Sequence, residues 1–217
     1  MELWKDGRSG AKGCLAGNLV LADLVHKGEK LASRKGTTFT GKNTIYVGRV
    51  CSNEDYLSKG QRHWANISPS QHHAVFSEAE GQGKKLFYLF ITASNEPATV
   101  HYWKVPGKLV GELLGSLPVK PSDDSSWVRI RQQDSRQLLE GGKQSDGLEV
   151  SQYYHEIQLE TEQAAALQRA FQNPAAVKSE VEDISAEQLL RLNSFVKDMG
   201  GIPTVRRALD ILDNLKL

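Results

Sequence analysis

Apolar positions are densest between Leu86 and Leu114, in the stretch LFYLFITASNEPATVHYWKVPGKLVGELL. Residues 86–92 are continuously apolar and rich in Phe, Tyr and Ile, which suits a strand covered on both faces. Ser94-Asn95-Glu96-Pro97 carries turn chemistry, with Pro97 fixing φ and Asn95 tolerating unusual backbone angles. Residues 100–105 then alternate, placing Val100, Tyr102 and Lys104 on one side and His101, Trp103 and Val105 on the other. Pro106-Gly107 ends that strand, and Leu109, Val110, Leu113 and Leu114 follow at helical spacing. Burial tendencies assign Tyr102 and Trp103 to a packed core rather than to base stacking.

Ahead of this hairpin, residues 12–30 predict a helix with Leu15, Leu19, Leu21, Leu24 and Val25 in its stripe and Gly28 as its stop. Residues 30–39 read as a basic strand or loop, Gly41-Lys42-Asn43 as a turn, and NTIYVGRVC as a strand. A polar loop over 52–62 leads to a short strand at 64–67. Ser68-Pro69 then opens a helix to about Glu80, with Ser68 as cap and Pro69 in the first helical position.

Beyond the hairpin, 118–126 is a Pro/Ser/Asp linker and 127–130 a short strand, with Arg129 and Arg131 sharing one face. Residues 132–146 are polar and glycine-rich, so a loop is expected; 148–157 read as a last strand or arm, and 160–171 as a helix. Ser185 with Gln188 forms a capping box, and Gly200-Gly201 before Pro203 divides two amphipathic helices. The expected fold class is α+β (or α/β): a central mixed sheet of about five strands flanked by helices. The domains are a core over 1–172 and a helical hairpin over 184–217.

Composition narrows the function more than it names it. A 217-residue chain with 24% charged and 39% hydrophobic residues is ordinary for a globular protein, and its net charge of +1 makes no global field. The charge is uneven, net +5 over residues 1–62 and net −3 over 150–217. No apolar run is long enough to span a bilayer and the first residues are polar, so a cytoplasmic protein with no membrane contact is expected. Cys14 and Cys51 are expected to be free thiols. Gly13-Cys14-Leu15-Ala16-Gly17 lacks the Gly-Lys-Ser/Thr ending of a phosphate loop, and no G-x-S-x-G or C-x-x-C occurs. His63, His72 and His73 lie close in sequence. Adjacent helical residues diverge by about 100°, however, so surface or capping roles are expected and neither metal nor cofactor is.

The succession of a helix, GKNTIYVGRV, HWANISPSQHHAVF, KKLFYLFI and VHYWKVP resembles the PD-(D/E)xK restriction-endonuclease-like superfamily over roughly residues 10–130. The resemblance implies a strand bearing a Glu-x-Lys element, whose two positions would fall on Val47 and Arg49. Arg49 keeps a cation, Val47 cannot bind a metal, and residues 30–46 contain no acidic residue. Phosphodiester hydrolysis of this type needs carboxylates to hold its ion. What the resemblance implies is therefore a non-catalytic, nuclease-like domain that binds DNA or a DNA-processing partner, in defence against foreign DNA. Arg34, Lys35, Arg49, Lys59 and Arg62 are the expected phosphate contacts. The alternative is an assembly protein that oligomerises or docks through its C-terminal hairpin without touching nucleic acid. A third reading is an enzyme whose site is built from His63, His72 and nearby carboxylates.

Overall fold

The computed structural model of the protein describes residues 10–33, 36–50, 63–95, 98–117, 124–133, 135–141, 147–159 and 164–165. The helical hairpin expected over 184–217 and most of the helix expected over 160–171 lie outside the described residues. The fold is α+β. It comprises helices α1 (Gly10–His26), α2 (Pro69–Gly81) and α3 (Gly107–Ser116), and strands β1 (Ala32–Ser33), β2 (Thr38–Thr40), β3 (Thr44–Val50), β4 (His63–Ile67) and β5 (Lys85–Asn95). These are joined by β6 (Ala98–Pro106), β7 (Ser126–Gln133), β8 (Arg136–Gly141), β9 (Leu148–Glu149) and β10 (Tyr154–Gln158).

Two sheets form. The first has the order β1-β2-β3-β5-β6-β10 and is antiparallel except where β3 runs parallel to β5. The second, β4-β7-β8-β9, is antiparallel throughout. The chain between β3 and β5 leaves the first sheet, adds β4 to the second and returns through α2.

The continuous apolar run in β5 has its explanation in two cores. One face of the first sheet, including Phe39, Tyr46, Leu89, Ile91 and Tyr102, packs on Ala16, Val20, Leu21 and Leu24 of α1. The other, including Ile45, Val47, Tyr88, Phe90 and Trp103, packs on α2, α3 and the inner residues Ala65, Ile67, Val128, Ile130 and Leu139 of the second sheet. The alternation expected in β6 is present, and Tyr102 and Trp103 are both fully buried.

Local signals are realised closely at two helices. Ser68 caps α2, its Oγ accepting from the Gln71 amide at 3.1 Å, and Pro69 is the first helical residue. Past the end of α1, Gly28 at φ +96° lets its amide reach Val25 O at 3.0 Å while Glu29 N reaches Leu24 O, which closes the helix end. Polar side chains then pin α1 to the sheet. Tyr102 Oη and Lys27 Nζ donate to Asp23 Oδ2 at 2.6 and 2.7 Å, and Tyr46 Oη donates to Glu29 at 2.6 Å.

Three expectations are corrected. Residues 136–141, expected as loop, form β8, whose Leu139 and Glu140 are buried. Ser94 and Asn95, assigned to a turn, belong to β5, since Asn95 pairs with Ala98. The single strand or arm expected over 148–157 is divided by a 3-10 turn at Ser151–Tyr153, so that β9 and β10 join different sheets. Among the described residues no helix is long and apolar enough to cross a membrane, and Cys14 forms no disulfide.

Candidate nucleic-acid interface

Of the five cations expected to contact phosphate, Arg34, Lys35, Lys59 and Arg62 lie outside the described residues. Arg49 is described, and its guanidinium braces the fold. Its Nε donates to Asn66 O at 3.1 Å, across to β4, while Nη1 donates to Gly48 O at 2.8 Å and Thr37 Oγ1 at 3.3 Å. One side chain thereby ties the end of β3 and Thr37, just ahead of β2, to the edge strand of the second sheet. Val47, where the resemblance would place a carboxylate, is buried in the core between the sheets.

The histidines also part company. His72 is buried in α2, with Nδ1 3.0 Å from Tyr88 Oη, and burial, with the nearby His73, holds its pKa below the ordinary imidazole value. It is a core group, not the surface or capping residue expected, whereas His73 is exposed. Among the described residues no three His, Cys, Asp or Glu side chains come together where they could hold a metal ion.

The outward face of the second sheet is where cations and an aromatic meet. Alternation along β7 sends Val128 and Ile130 into the core, and Trp127, Arg129 and Arg131 to the other side. Trp127 is 57% exposed, and is the large hydrophobic side chain among the described residues that stands out into solvent. Beside it in the ladder is Asn66 of β4, also exposed. Across the next pair, Arg129 lies opposite Glu140 of β8. Arg129 Nε donates to Glu140 Oε2 at 2.7 Å, and Arg131 Nε and Nη2 donate to Oε1 at 2.7 and 2.6 Å.

Glu140 is only 3% exposed. Burial pushes its carboxyl pKa up, but the hydrogen bonds from Arg131 and Arg129 outweigh that and hold it below the ordinary carboxylate range. Gly147, just ahead of β9, lies close to Glu140. Its φ is +60°, and a side chain at that position would meet Glu140 Cγ at 3.0 Å and Leu138 Cβ at 3.1 Å. Glu140 is therefore a buried anchor for two guanidiniums, and the three groups together keep one net positive charge. Arg136, at the start of β8, adds an exposed cation along the same ladder.

Sequence reasoning noted that Arg129 and Arg131 share a face, but missed their partner. Glu140 sits in QLLEGG, with no alternation to mark a strand. An acidic residue after two leucines, downstream of an Arg-x-Arg strand, was the available signal. No family model, curated protein or solved structure matches the chain.

Proposed function

We propose that the protein binds nucleic acid without cleaving it, holding unpaired bases of a DNA strand against the open face of its second sheet. The observation that carries this reading is exposed Trp127 on the same strand face as Arg129 and Arg131. An aromatic ring standing out of a sheet can stack on a base that is not already stacked within a duplex. A buried carboxylate holds these guanidiniums in a set geometry on the open face, and planar guanidiniums suit phosphate oxygens. Arg34, Lys35, Lys59 and Arg62 extend the proposed phosphate path, while Arg49 acts in it as a structural brace.

In this proposal the segments of the nuclease-like resemblance are taken to be α1, β3, β4, α2, β5 and β6. The buried Val47 between the sheets supports binding over hydrolysis, because the position has neither a carboxylate nor access. The test is titration of labelled single-stranded and duplex DNA over a salt series, with cleavage read in parallel with and without Mg²⁺. Single strands should bind more tightly than duplex, without cleavage. Trp127→Ala should weaken single-strand binding roughly 5- to 100-fold. Equal binding by the variant, or none by the parent at low salt, would sink the proposal.

A further inference from the structure

On the face of the first sheet that looks toward the second, the apolar core gives way to a row of polar groups at the end of β5. Thr92, His101 and Glu156 are directly paired across β5, β6 and β10. Ser94 Oγ lies 3.3 Å from His101 Nε2, and Tyr154 Oη 2.7 Å from His101 Nδ1. Tyr154 Oη in turn donates to Glu156 Oε2 at 2.9 Å.

That last bond fixes the protons of the chain. The phenol has one hydrogen and gives it to Glu156, so toward His101 its oxygen is an acceptor and Nδ1 must carry the ring hydrogen. Nε2 is left with its lone pair toward the Ser94 hydroxyl. Burial keeps the imidazole pKa below its ordinary value, although the Glu156 carboxylate pulls it up, so the ring is neutral and able to take a proton. His101 is 4% exposed while Ser94 is only partly buried, so an electrophile can meet the hydroxyl while the base stays dry. Beside His101, the Thr92 hydroxyl is buried with no hydrogen-bond partner. An unpartnered donor in the same row is unexplained by packing alone.

We propose that Ser94 is a base-activated nucleophile for neutral acyl electrophiles, with His101 as its general base and Tyr154 and Glu156 as positioning residues. Among the described residues, the groups bonded to His101 directly or through Tyr154 include a carboxylate and no cation, which disfavours an anionic phosphodiester and favours the uncharged carbonyl of a carboxylic ester. Ser94 Oγ would bond to the carbonyl carbon while its proton passes to His101 Nε2. Collapse breaks the ester C–O bond, and the leaving alkoxide takes that proton. Water then repeats the sequence on the acyl-serine, releasing the carboxylic acid and restoring Ser94.

The experiment treats the full chain with a fluorophosphonate probe, whose phosphorus bonds to an activated serine oxygen as fluoride leaves. Peptide mapping should find the adduct on Ser94, absent in Ser94→Ala. The labelling rate should rise with pH as His101 loses its proton, and should fall at least about 10-fold in Tyr154→Phe. The groups bonded to or paired with His101 are Ser94 and Thr92 on β5 and Tyr154 and Glu156 on β10. Because the Glu156 charge raises the imidazole pKa, Glu156→Gln should move the labelling midpoint to lower pH. Circular dichroism of each variant separates loss of fold from loss of reactivity. No adduct on Ser94 in the folded parent overturns the proposal. So does an adduct whose rate ignores both Glu156→Gln and pH over about 5 to 8.

Discussion

Two guanidiniums converge on Glu140, whose carboxylate is almost wholly removed from solvent. Removing the carboxylate charge takes from Arg129 and Arg131 the buried anion that both guanidiniums bond, in a partly buried site. Glu140→Gln should therefore cost about 3 kcal/mol, read as a lower urea midpoint at unchanged slope. The same pair gives the acid behaviour. Its folded pKa is depressed, so its stabilisation is complete above the unfolded value of 4.5 and is lost as pH falls through the folded one. Asp23 acts in the same direction. Burial raises its pKa, but hydrogen bonds from Lys27 and Tyr102 outweigh this and hold it below 3.8. Urea midpoints should begin to fall below about pH 6.5, because the buried imidazoles of His72 and His101 resist protonation, and fall further below about pH 4.5, where Glu140→Gln should flatten the decline. An acid limb equally steep in the variant would assign it to other carboxylates.

At the scale of the element, two of the three glycines of α3 have opposite consequences. Gly107 starts the helix against Leu86, and an added Cβ would lie 2.7 Å from Leu86 Cγ and 2.9 Å from its Cβ. Gly115 has nothing within 4 Å. Gly107→Ala should cost about 1–3 kcal/mol by overpacking, while Gly115→Ala should gain up to about 1 kcal/mol from helix propensity. Thermal melts of the two variants should shift in opposite directions. How much of the fold the sequence made legible follows the same division between local and distant causes. Ser68-Pro69 and the alternation of 100–105 are local rules, and both elements form as expected. β8 was not legible, because RQLLEG becomes a strand through its partners: Arg129 opposite Glu140 and Leu139 opposite Ile130. Ser94 was read as turn for a related reason. Its place in β5 depends on the ladder to Thr99, which is also what brings its hydroxyl to His101. Of the candidate interface, the Arg-x-Arg face was legible. Arg49 was legible as a cation for phosphate, but nothing in its strand reveals that Asn66 of β4 will accept from it.

The whole molecule carries a net charge of only +1, so its far field gives nucleic acid little attraction and binding must come from local contacts. This makes the salt dependence diagnostic. Each phosphate contact on a single strand contributes about −0.7 to the slope of log K against log salt. Arg129, Arg131 and Arg136 on the second sheet then predict a slope of about −2, small for a nucleic-acid-binding protein. Arg131→Ala should reduce its magnitude by about 0.7, whereas Trp127→Ala should lower affinity and leave the slope alone, since stacking releases no counter-ions. The excess of cations over residues 1–62 offers a different outcome. Where Arg34, Lys35, Lys59 and Arg62 also contact phosphate, the slope is steeper by nearly −3, and replacing those four with alanine removes that part of it. Measuring both variant sets over the same salt series assigns the binding energy either to the braced arginines of the second sheet or to the basic first third of the chain.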